Sequence, residues 1–191
     1  MRTIDITTTV TTDLFAQARK NERMAFYGHV GTHFDVMNKV FPLEYMEREG
    51  IVFDVSAFGT EREITLTDSE LAQVHAGMFV AFRTGFIEKE GYATSTYFRE
   101  HPQLSFDLIH ALLDRKVSII GVDFAGVRRG KEHTPTDQLC ADQGVFIVEN
   151  LCNLAEVLHG KSVATFQAGT YPIKFEGQTG LPCRVVARGD Q

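Results

Sequence analysis

Eleven residues, HVGTHFDVMNK at positions 29–39, hold two histidines four apart, an aspartate two further on, and a lysine four beyond that. Imidazole nitrogens and carboxylate oxygens are ordinary ligands of divalent cations. Whether they reach one ion depends on the backbone between them. In a straight strand His29, Gly31, His33 and Asp35 share a face, yet at about 3.3 Å per residue the two rings stand roughly 13 Å apart. In a continuous helix His29 and His33 meet, but Asp35 is turned away by about 240°. A strand that bends at Gly31 satisfies all three, because glycine admits unusual dihedrals and close approach. Two imidazoles and one carboxylate leave coordination positions open, and an ion held that way acidifies water and polarises a carbonyl. Hydrolysis is the chemistry this spacing suggests, set against a bland alternative in which turn histidines bind nothing.

The rest of the chain must build a scaffold for that segment. Its 191 residues suit one domain, 1–191, with a single substantial core. Apolar residues make up 43% and charged residues 23%, which favours neither disorder nor a membrane class. A formal charge of −6 argues against a nucleic-acid footprint, and the short basic run Arg128, Arg129, Lys131 reads as a solvated loop. The opening MRTIDITTTV lacks a charged start followed by an apolar core, and no run approaches membrane-spanning length, so a cytoplasmic location is expected. Three scattered cysteines, Cys140, Cys152 and Cys183, read as buried free thiols rather than a disulfide framework.

Short β-rich segments recur: RTIDITTTV, MAFYGHV, IVFDVS, MFVAFRT, VSIIGVDF, VFIVE, SVATFQA and CRVVA. Between them, Leu108, Ile109, Leu112 and Leu113 fall at helical spacing after Ser105. Thr67 with Glu70 forms a capping box, and Thr134 followed by Pro135 marks an N-cap with proline at the first helical position. A further helix is expected after Asn150, with Leu154, Val157 and Leu158 inward. Interleaved strands and helices predict an α/β domain whose central mixed β-sheet is flanked by helices.

HVGTHFD resembles the H-x-G-[TA]-H-x-D motif of the cyclase-like metal-dependent hydrolases, a group that includes kynurenine formamidase (arylformamidase) and isatin hydrolase. Further stretches resemble the family in the same order: AGMFVAFRTGF, HPQLSFDLIHALLDRKVSIIGVDFAG, GVFIVENLCNL and GLPCRVVA. The resemblance implies a swivelling β/β/α fold, a small-molecule substrate, and one or two divalent ions, zinc or manganese. It implies that His29, His33 and Asp35 are metal ligands, that Asp35 can bridge to a second ion, and that Glu149 ligates that ion. The family's remaining histidine lies twelve residues before this glutamate, where the chain has Asp137. A carboxylate is a harder ligand, tilted toward manganese or magnesium. His133 is the rival for the role, and a helix beginning at Thr134 would leave it off the face that carries Asp137, so Asp137 is the preferred ligand of the two.

Formamidases place a proline and then a catalytic histidine after the aspartate, where this chain has Met37 and Lys39. Ordinary lysine is a poor base at neutral pH, but it can hold a developing oxyanion. Lys39, Glu149 and His33 are accordingly the candidate catalytic residues, with Glu149 or metal-bound hydroxide as base. The expected activity is hydrolysis of an amide, lactam or formamide C–N bond of a small molecule. The alternatives are a metal- and ligand-binding relative with little turnover and a metal-dependent lyase or cyclase. A dimeric or tetrameric homo-oligomer follows from the resemblance and the apolar content. His75, His101, His110 and His159 have no partners at ligand spacing. Asp123 ends an apolar strand, either facing the site or capping the next turn, and Arg83 reads as structural. Phe34 faces away from its neighbours in a strand, as a pocket wall or subunit contact.

Overall fold

A computed structural model describes residues 2–21, 24 and 27–189. Eight strands carry the fold: β1 Arg2–Asp5, β2 His33–Asp35, β3 Glu47–Asp54, β4 Phe79–Arg83, β5 Ile119–Val122, β6 Phe146–Glu149, β7 Val163–Pro172 and β8 Gly180–Gly189. The helices placed in full among the described residues are α1 Thr12–Ala18, α2 Asp68–Leu71, α3 Phe86–Glu90, α4 Ser95–Arg99, α5 Phe106–Asp114, α6 His133–Asp142 and α7 Leu154–Leu158.

The expected mixed sheet is present, but it closes on itself. Strands β3, β4, β5 and β6 run parallel, and antiparallel pairings take β6 to β2, β2 to β8, β8 to β7 and β7 back to β3. Seven strands thus form a barrel-like ring, with β1 paired to the far end of β8. Closure depends on the two ten-residue strands. Residues 163–169 of β7 pair with β3 and residues 167–172 with β8, so the strand passes from one partner to the other and is paired on both sides at 167–169. A closed sheet removes exposed edges.

Because side chains alternate across a strand, the sheet separates two cores. Phe34, Val52, Phe79, Ala81, Ile119, Phe146, Val148 and Val185 fill the ring interior. Ile51, Phe53, Val80, Phe82, Ile120, Val122 and Ile147 face outward and pack with Leu108, Ile109 and Leu112 of α5. Gly121 points into the ring, where a Cβ would lie 2.3 Å from the Phe79 ring. Phe34 is fully buried in this interior, against Phe41 at 4.5 Å between centroids, and is neither a pocket wall nor a subunit contact.

The capping readings hold for α5, where the Ser105 side chain accepts from Leu108 N, and for α2, where Thr67 and Glu70 form the reciprocal box. Two readings are corrected. Ala25 and Phe26 of the MAFYGHV segment lie outside the described residues, and Tyr27 to His29 are not in a strand. Helix α6 begins at His133 rather than after Thr134, led in by a 3₁₀ turn at Gly130–Glu132. Pro135 is tolerated inside the first turn because the leading amides of a helix have no intrahelical acceptor.

Candidate metal centre

The site forms on the helix-facing side of β2 and β6. With Phe34 pointing into the ring, His33 and Asp35 must point out of it. Glu149, at the end of β6, is the cross-strand partner of His33. His29 lies before the strand, and Gly31 between the histidines has φ +63°. A Cβ there would stand 2.6 Å from Val10 Cγ2, so only glycine lets the chain fold back at this point. The result brings His29 Nδ1 within 3.0 Å of both His33 Nε2 and Asp35 Oδ1. His33 Nε2 is 3.7 Å from Asp35 Oδ1 and 3.6 Å from Glu149 Oε2.

Helix α6 contributes from the other side. His133 and Asp137 are one turn apart on the same face, with Nε2 3.2 Å from Asp137 Oδ2 and 3.2 Å from Glu149 Oε1. The reasoning that preferred Asp137 to His133 is therefore corrected: starting the helix one residue earlier gives both residues one face. Gly126, with φ +106°, makes room for this ring, since a Cβ would stand 2.6 Å from His133 Cε1.

Two groups of donors result, each with its atoms within 4.8 Å of one another: His29, His33 and Asp35, and Asp35, His133 and Asp137. Asp35 belongs to both. Its residue is 1% exposed, and no backbone amide or hydroxyl among the described residues donates to the carboxylate. Burial opposes its ionisation, yet the contact with His29 and the nearby imidazoles of His33, His29 and His133 hold it well below the usual carboxylate range. A buried, ionised carboxylate surrounded by imidazole nitrogens fits a cation. The imidazoles are oriented to match. His33 Nδ1 donates to Gly31 O at 2.9 Å, which turns the Nε2 lone pair toward the cluster, and His29 Nε2 contacts Thr179 Oγ1 at 2.8 Å.

A second layer fixes this geometry. Tyr97 OH donates to Asn150 Oδ1 at 2.7 Å, and Asn150 Nδ2 donates to Gly31 O at 2.9 Å. Gly31 N donates to Tyr92 OH at 2.7 Å. The two tyrosines and Thr179 carry no motif of their own, and nothing local in the sequence signals them.

Lys39 does not join the cluster. Met37 adopts φ +55° in a turn closed by Lys39 N donating to Val36 O, and the lysine Nζ pairs with Asp142 Oδ1 at 2.6 Å on the surface. Proline, fixed near φ −65°, could not adopt the Met37 conformation. The structure thus places Lys39, expected to hold an oxyanion, in a surface pair with Asp142. Asp123 caps: its buried carboxylate accepts from Thr84 N, Thr84 Oγ1 and Gly85 N. Arg83 pairs with Asp54 at 3.2 Å. His101 is buried against Phe124, with Nδ1 on Pro102 O.

Residues 4–128 match the family described as "Putative cyclase". The chain belongs to the cyclase family. A search of curated proteins gives no significant match. Among solved structures, this cyclase-family chain is similar to a potential metal-dependent hydrolase with cyclase activity, at 21% identity and TM-score 0.73, covering 97% of this chain and 96% of the other. It is similar to isatin hydrolase A from Labrenzia aggregata, bound to benzyl benzoate, at 21% identity and TM-score 0.74, covering 97% and 93%. A predicted metal-dependent hydrolase from Bacillus stearothermophilus matches at 19% identity and TM-score 0.66, covering 97% of both chains. At these identities the likeness shows the shared fold. No helix among the described residues is long and apolar enough to cross a membrane.

Proposed function

We propose that this cyclase-family protein is a metal-dependent hydrolase of a C–N bond in a small amide, lactam or formamide. The observation that carries the reading is Asp35: a buried carboxylate shared by two donor groups, whose polar neighbours among the described residues are imidazoles and other carboxylates rather than backbone amides or hydroxyls. His29, His33 and Asp35 would hold one divalent ion, and Asp35, His133, Asp137 and Glu149 a second. When bound, such ions acidify water and polarise a carbonyl. The names of structural relatives, metal-dependent hydrolases and isatin hydrolases, support the same class.

The chain's own residues supply the rest. A cavity of about 390 Å³ opens in front of the cluster, lined by His29, His33, His133 and Glu149, within the range of small-molecule sites. Glu149 takes the proton released as water adds to the carbonyl carbon and passes it to the departing nitrogen. His33 is held in orientation by Gly31 O, with Nε2 facing the cluster. With Lys39 on the surface, Glu149 is the candidate proton carrier. The donor set of the second position, three carboxylates and one imidazole, is harder than the first and favours manganese there.

The outward Lys39 also favours a second reading, a metal- and ligand-binding protein with little turnover. Metal analysis of the untagged protein, combined with a turnover screen over aryl formamides, lactams and cyclic imides, separates the two. Chelator-sensitive hydrolysis supports the enzyme. Ligand-dependent thermal stabilisation without product supports the binder, and turnover that ignores chelator rejects both.

A further inference from the structure

The cavity has a wall that plays no part in the metal cluster. Ser95, Phe98 and Arg99 of α4 line it, and their i, i+3, i+4 spacing sets them on one helix face. Tyr97 between them is buried, with its hydroxyl on Asn150. Phe98 is 41% exposed, and edge contacts from Tyr92 and Tyr97, at 6.0 and 5.6 Å between centroids, brace its ring. A ring held from behind and open in front is a stacking surface for a planar group.

Arg99 is the only lysine or arginine among the described residues lining this cavity. Several surface arginines are paired, Arg2 with Glu156, Arg184 with Asp5 and Arg188 with Glu47, whereas Arg19 and Arg62 form no ion pair among the described residues but do not line the cavity. Arg99 has no carboxylate within ion-pair distance among the described residues, in a chain of formal charge −6. A guanidinium without a partner at the mouth of a cavity matches a carboxylate in plane and charge.

We propose that Phe98 and Arg99 form a substrate subsite that selects planar aromatic acyl compounds carrying a ring carboxylate. The reacting carbonyl faces the cluster, the ring lies on Phe98, and the carboxylate pairs with Arg99. This rests on the metal-centre reading above and narrows its substrate class.

The test uses manganese-loaded full-length protein and benzohydroxamate, whose hydroxamate seeks the metal, beside its ortho-, meta- and para-carboxylated forms. Calorimetric titration should show one carboxylated isomer binding about tenfold tighter than the parent. Arg99→Gln should abolish that gain while the parent binds as before and metal content is unchanged. Phe98→Leu should weaken parent and acid together, and parent binding unaffected by it would overturn the stacking role. The subsite is refuted if no isomer gains over the parent, or if Arg99→Gln keeps the gain. A parent compound that fails to bind the loaded wild type would sink the metal-centre reading itself, and the subsite with it.

Discussion

His33 and Glu149 face each other across β2 and β6, and the same register that pairs their backbones sets His33 Nε2 3.6 Å from Glu149 Oε2. The segment that carries the histidine motif and the strand that carries the glutamate are more than a hundred residues apart, and one antiparallel pairing joins them. Four predictions follow from such relationships.

Asp35 is common to both donor groups, so Asp35→Asn should lower metal stoichiometry at both positions, whereas His29→Ala and Asp137→Asn should each affect one. Saturating metal should raise the wild-type melting temperature by about 5 to 10 °C, taking ligand at about a hundredfold above Kd and a domain of this size. Asp35→Asn should lose most of that rise. Elemental analysis and thermal melts with and without chelator check both, and a wild-type melt indifferent to metal would count against the centre.

Gly126→Ala should displace the His133 ring, because the new Cβ would meet its Cε1 at 2.6 Å and the backbone φ is +106°. The strain should cost about 1 to 3 kcal/mol. Metal at the His29 and His33 position should persist while the second position empties. Equal loss at both positions would show that the two are not built independently.

Lys39→Ala should leave turnover within about twofold of wild type, since the side chain pairs with Asp142 at the surface and exposed pairs contribute little. A collapse of turnover, with metal content intact, would restore Lys39 to the reaction.

Burial of His101 pushes its pKa from 6.5 down to about 4. The unfolded chain then binds the extra proton first as the pH falls, so this contribution is fully present above about 6.5 and is lost toward about 4. Its size is on the order of 3 kcal/mol. His101→Asn should flatten the dependence of stability on pH across that window. Denaturation curves at pH 4.5 and 7 check it, and an unchanged slope in the variant would reject the assignment.

The sequence determined what local chemistry can determine. The donors of the first cluster stand within seven residues, and the bend at Gly31 follows from their spacing because sterics leave no other way for them to meet. The α5 amphipathic pattern and its Ser105 cap are equally local. Glu149 was visible through the family resemblance. Tertiary structure decided the rest. Whether His133 or Asp137 reaches the cluster turned on where α6 starts, a matter of one residue set by the turn before it, and the answer was both. The pairing of Lys39 with Asp142, more than a hundred residues away in sequence, was likewise not legible locally. The closure of the sheet, the tyrosine and asparagine layer behind Gly31, and the Phe98 and Arg99 wall all arise from pairings between distant segments. Short-range patterns in a chain encode which face a residue takes; which residues then share that face is fixed only when the strands find their partners.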